Sequence, residues 1–134
     1  MTTLFDTSTL LAVLNQTEPH HRWSTSQLQS CKARGPVVIS DMIYCELSVG
    51  IATHVEMEKV IKYLAVDRLE GNDEVLFRAG KAYEQYKKKK GASKTNVLPD
   101  FLIGAAAEVA RIPLVTANPK DFVSYFPSLS VIKP

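Results

Sequence analysis

Apolar residues along this chain fall into two kinds of cluster, short β-branched runs and longer stretches at helical spacing, and the two alternate. Thr2–Phe5 reads as a short buried strand that stops at Asp6. Thr7, Ser8 and Thr9 then offer N-caps for a helix carrying Leu10, Leu11, Val13 and Leu14. Glu18–Lys32 reads as a second helix with Pro19 in its first turn, and Gly35-Pro36 breaks it. Val37–Ile39 is wholly apolar, as expected of a strand buried on both faces of a parallel sheet.

Ser40 and Asp41 are candidate caps for a helix whose Ile43, Glu46, Leu47 and Gly50 share one face. His54–Leu64 follows as another helix, and Tyr63–Val66 runs into a short strand. Asn72 caps a long helix over Asp73–Lys90, which Gly91 stops. Pro99 suits the first turn of an apolar helix reaching Arg111. Ile112-Pro113-Leu114-Val115-Thr116 enters a strand. Asn118-Pro119 starts a helix, with Asn as cap and Pro as first helical residue, and Ser130–Ile132 is a final strand. Strands alternating with helices predict one α/β domain over residues 1–134, a mainly parallel sheet covered on both faces.

Composition narrows the class. The apolar share is 46% and the charged share 22%, ordinary for a globular domain, and no apolar run is long enough to span a bilayer. The opening segment has no basic stretch, and Asp6 interrupts its apolar run, so it reads as a strand entering a helix rather than a secretory signal. A cytoplasmic location is the expectation. Cys31 and Cys45 lack CxxC spacing and read as two buried reduced thiols. Three histidines and two cysteines are too scattered for zinc. A net charge of +2 does not by itself argue for nucleic acid.

Four acids change the picture. Asp6, Glu46, Asp100 and Asp121 each lie in or beside an apolar segment, at or near expected strand ends. Ligands in open α/β sheets sit beyond the carboxyl ends of the strands. Carboxylates gathered there without basic partners repel one another, and a divalent cation is the simplest neutraliser. Oxygen-only donors select Mg²⁺ or Mn²⁺. Taken singly, each acid also has a plainer role. Asp6 caps a helix, Asp100 and Asp121 favour a helix dipole, and Glu46 sits at the edge of an apolar stripe.

The segments FDTSTLL, ELSVG, PDFLIGAAAEVA and TANPKDF, in this order, resemble those of the PIN domain, and in particular the short VapC-type toxin nucleases. The likeness covers essentially the whole chain. It implies a PIN-like (Rossmann-like) three-layer α/β/α fold and a Mg²⁺- or Mn²⁺-dependent endoribonuclease that hydrolyses RNA by metal-activated water. By that resemblance Asp6 and Asp100 are the primary metal ligands and Glu46 and Asp121 the supporting acids. Thr7, Ser8, Thr116 and Asn118 match the family's polar positions. A cognate antitoxin and a homodimer are implied as partners. The sequence departs from the commonest pattern at Ala117, where related toxins often carry a basic residue.

Other classes fit less well. A haloacid-dehalogenase-type phosphatase wants a second Asp two residues after the first, where this chain has Ser8. A receiver domain wants an acidic pair near the first strand. A non-catalytic PIN-like module that binds RNA or a partner stays open as the alternative. Lys87, Lys88, Lys89 and Lys90 form the one basic run, either a solvated helix end or a rim that contacts RNA phosphates. Trp23, Phe77, Tyr83 and Tyr86 read as core or dimer-contact residues rather than base-stacking platforms.

Overall fold

The computed structural model describes residues 1–89, 91–92 and 96–134. Lys90, one of the four lysines of the basic run, therefore lies outside the described residues. Five strands make one sheet: β1 (Thr3–Phe5), β2 (Val37–Ile39), β3 (Asp67–Arg68), β4 (Leu114–Val115) and β5 (Val131–Ile132). Their spatial order is β3-β2-β1-β4-β5, and every pairing is parallel. Parallel neighbours require crossovers, which the alternating helices supply. The helices are α1 (Thr7–Leu14), α2 (His21–Arg34), α3 (Asp41–Ser48), α4 (His54–Leu64), α5 (Asp73–Lys88), α6 (Leu98–Ala110) and α7 (Lys120–Tyr125).

The central strands are buried on both faces, which explains their unbroken apolar sequence. Leu4, Phe5, Leu114 and Val115 are fully inaccessible, and Val37, Val38 and Ile39 nearly so. The edge strand β3 is the short charged pair Asp67-Arg68, which discourages further strand addition. Pairing runs outward from β1 to β2 and β3 on one side, then returns to β4 and β5 on the other. β1 and β4 thus flank the switch point where such sheets bind ligands.

Local chemistry sets most helix starts. Side chains of Asp6, Ser40, Thr53 and Asn72 accept backbone N–H bonds from Thr9, Ile43, Glu56 and Val75. Ala65 and Arg111 close α4 and α6 in the left-handed conformation.

Several sequence expectations are corrected. The second helix begins at His21, not Glu18. The Asn15 carboxamide oxygen accepts from both the N–H and the hydroxyl of Thr17, and His21 N–H bonds Glu18 O, so residues 15–20 form turns. The short strand that Tyr63–Val66 runs into is Asp67–Arg68. α7 starts after Pro119 without a side-chain cap, and the Asn118 N–H bonds Thr116 Oγ1 at 3.0 Å. Cys31 is buried but Cys45 is exposed, and both are free thiols. Tyr86 packs in an aromatic cluster with Phe101 and Tyr125, whereas Phe77 is 69% exposed and not core.

Candidate active site

Asp6 is the fixed point of the site. It ends β1 and caps α1, so its backbone is held from both sides, and its N–H bonds Val115 O across to β4 at 3.1 Å. The side chain is 5% exposed. Its Oδ1 accepts from Thr9 N at 2.9 Å, Thr9 Oγ1 at 2.7 Å and Ser8 Oγ at 3.0 Å. Its Oδ2 accepts a short bond from the Thr116 hydroxyl, which comes from the end of β4. No cation supplies any of these bonds. A buried carboxylate held only by neutral donors keeps its negative charge local.

Glu46 comes from α3 on the neighbouring crossover. Its position on the helix face beside Ile43 and Leu47 leaves it half-buried, and Thr7 Oγ1 donates to its Oε1 at 2.5 Å. The first turn of α1 thus anchors two acids, Asp6 through Ser8 and Thr9, and Glu46 through Thr7. Asp100 enters from the first turn of α6, where Pro99 stands in the opening positions of the helix.

These three acids line one cleft of about 260 Å³, with Thr7, Ser8, Leu11, Ile103, Asn118 and Phe122. Among the described residues, no lysine, arginine or histidine lines it. Its Ser8 hydroxyl is bonded to Asp6, so no serine–histidine nucleophile is set up there. Asn118 belongs to the cleft, and its N–H bonds the Thr116 hydroxyl that in turn bonds Asp6. Thr9 was not singled out by sequence as a site residue. It is fully buried and supplies two of the three donors to Asp6 Oδ1.

Asp121 is the exception. It was expected at the same point, but it lines a second cavity with Tyr86, Lys89, Lys120, Ser124 and Tyr125. The reason is rotation about α7. Phe122 is turned into the cleft and is 3% exposed, and the adjacent residue on a helix points about 100° away. In the basic run, Lys87 Nζ lies 5.5 Å from the Tyr83 ring centroid, and Lys88 pairs with Glu84 at 3.4 Å. Lys89 lines the second cavity.

The donor set suits a hard divalent cation: three carboxylates, one of them buried. Among the described residues, no three carboxylate, imidazole or thiol groups stand close enough to enclose one ion.

The family model for the PIN domain matches residues 3–125. Among solved structures, the chain is similar to one from the complex of VapBC2 from Rickettsia felis bound to a DNA fragment from their promoter. That match has a TM-score of 0.77 and 19% identity, and covers 100% of this chain and 99% of the other. A chain of VapBC-1 from nontypeable Haemophilus influenzae gives 0.72 and 21%, covering 99% and 98%. A chain of a toxin-antitoxin complex from Klebsiella pneumoniae gives 0.65 and 26%, covering 97% and 95%. No curated protein sequence matches.

Proposed function

The chain belongs to the PIN-domain family, and from that premise and the cleft we propose that it is a Mg²⁺- or Mn²⁺-dependent endoribonuclease, the toxin of a toxin–antitoxin pair. The observation that carries the reading is the cleft at the β1–β4 switch point, which Asp6, Glu46 and Asp100 line together. Asp6 and Asp100 would hold the ion, with Glu46 supporting. Such an ion lowers the pKa of bound water and offsets charge on a phosphodiester.

The chain's own groups set the stage for hydrolysis. Thr9, Ser8 and Thr116 hold the Asp6 carboxylate in one orientation, so no ordering is left to occur during reaction. Thr7 does the same for one oxygen of Glu46. Asn118 carries a side chain into the same space, with its backbone tied to Thr116. Leu11, Ile103 and Phe122 make the remaining wall apolar, which lowers the local dielectric around the charges.

The toxin role is supported by the fold-level likeness to chains from toxin–antitoxin complexes in Rickettsia felis, Haemophilus influenzae and Klebsiella pneumoniae. On this reading the chain has RNA as substrate, a cognate antitoxin that covers the acidic cleft, and a second copy of itself as partner. A cleft so negative favours a cationic plug, and an arginine suits paired carboxylates.

The test is cleavage of total RNA with Mg²⁺, read by sequencing the new ends. Wild type should cut, and EDTA should stop it. Asp100→Asn should lose at least about 100-fold with an unchanged fold, the scale for removing a group that stabilises developing charge. Asp121→Asn should keep a measurable share of activity, because its side chain lines a different cavity. Full activity in Asp100→Asn removes the proposal. A non-catalytic binding module remains the second reading, favoured by the lack of a preformed cage among the described residues. It would bind RNA without any requirement for Mg²⁺ and would leave no new ends.

A further inference from the structure

We propose that the cavity between the end of α5 and α7 is a phosphate-binding subsite for the RNA strand beside the catalytic cleft, with Lys89 and Lys120 as its cations. This inference rests on the nuclease reading above. The cleft presents three carboxylates, and no cation among the described residues lines it, so a polyanionic strand gains from positive charge standing nearby. α7 is the wall that the two spaces share. Phe122 lines the cleft, while Lys120, Asp121, Ser124 and Tyr125 line the cavity of about 190 Å³ behind it.

The lysines of this region divide by what they touch. Lys81 and Lys88 each approach a Glu84 carboxylate oxygen at 3.4 Å, and together they hold that carboxyl below its usual range, Lys81 contributing most. Lys87 lies over the Tyr83 ring. Lys89 and Lys120 are exposed, and neither forms an ion pair among the described residues. Lys89 follows the last turn of α5 and Lys120 opens α7, yet both line one cavity. Asp121 lines it too. Two lysines around one space suit a single phosphodiester rather than a cluster of phosphates. Tyr86 and Tyr125 form the cavity floor as part of the buried aromatic cluster, so the pocket stands on packed core.

Such a subsite would hold one backbone phosphate on one side of the scissile bond. It would act on binding and not on the chemical step, because neither lysine lines the cleft. It contacts phosphate alone, so it would carry no base preference.

The experiment compares wild type with Lys89→Gln/Lys120→Gln and with Lys87→Gln/Lys88→Gln. Each pair is also placed in the Asp100→Asn background for binding. The probe is a fluorescein-labelled single-stranded RNA of randomised sequence, with anisotropy read across a salt series in Mg²⁺. The Lys89/Lys120 pair should flatten the slope of log affinity against log salt by about 0.7, the value for one phosphate contact on a single strand. In the active background it should raise KM several-fold with kcat unchanged. The Lys87/Lys88 pair should leave the slope as in wild type.

An unchanged slope in the Lys89/Lys120 variant overturns the subsite while wild-type cleavage keeps the nuclease reading standing. Equal flattening by both pairs also overturns it, since the charge would then act as a diffuse field. A wild-type protein that neither binds nor cuts the RNA overturns the nuclease reading, and the subsite falls with it.

Discussion

Asp6 shows how one side chain serves structure and chemistry together. As N-cap it accepts the Thr9 N–H, and as a buried anion it gathers three hydroxyl donors around itself. The two roles separate by substitution. Asp6→Asn keeps an oxygen for the cap and should leave thermal stability nearly unchanged while abolishing cleavage. Asp6→Ala removes the cap as well and should cost about 1 kcal/mol in addition, measured by denaturant unfolding. Equal stability of the two variants would show that capping contributes nothing here. Glu46 and Asp100 were legible in the sequence because each stands in or beside an apolar segment near a strand end, while Thr116 and Asn118 were marked by the resemblance to the PIN domain. Thr9 was not, since a threonine in a first helical turn reads as an ordinary cap candidate until the carboxylate it holds is placed in space. Asp121 was legible as an acid near a strand end. Which side of α7 it faces depended on where Phe122 packs.

Among the elements, α6 does the most to position the cleft. It brings Asp100 to the rim and buries the run Gly104–Ala107 against its neighbours. Small side chains there let other elements approach closely, and Gly104 does so most tightly. A Cβ added at Gly104 would stand 2.5 Å from Cε2 of Phe126. Phe126 is 1% exposed and packs at 6.3 Å, edge to face, on Phe101, so its ring has little room to yield. Gly104→Ala should therefore destabilise the fold by about 1–3 kcal/mol, the range for overpacking a filled core. Denaturant midpoints within error of wild type would show that Phe126 repacks freely. Arg78 ties the same region together. It pairs with Glu108 of α6 at 2.6 Å, donates to Tyr125 O of α7 at 2.9 Å, and lies over the Phe126 ring. The start of α2 shows how local polar chemistry can override a plain helix signal. Pro19 suggested a first turn, but Asn15 and Thr17 form a competing turn that delays the helix to His21.

On the scale of the whole molecule, the strand order places the ends of β1 and β4 side by side, and the acids from α3 and α6 converge there. Binding of a divalent ion to the folded state alone should raise its stability. At an ion concentration about 100 times the dissociation constant the gain is about 2.7 kcal/mol, several degrees in a thermal melt. Mg²⁺ and Mn²⁺ should both raise Tm in wild type, and Asp100→Asn should lose most of the rise. An equal rise in both proteins would place the ion elsewhere.

The sequence by itself determined the alternation of buried strands and amphipathic helices, because period and turn chemistry are local properties of the chain. It also determined which acids stand at the ends of those elements. Only the tertiary structure decided which of them share a cleft, since that depends on strand order and on the rotation of each helix about its own axis. Asp6, Glu46 and Asp100 are distant in sequence and line one cleft because β1 lies between β2 and β4. Asp121 is turned aside because its neighbour Phe122 takes the buried position on a helix only six residues long.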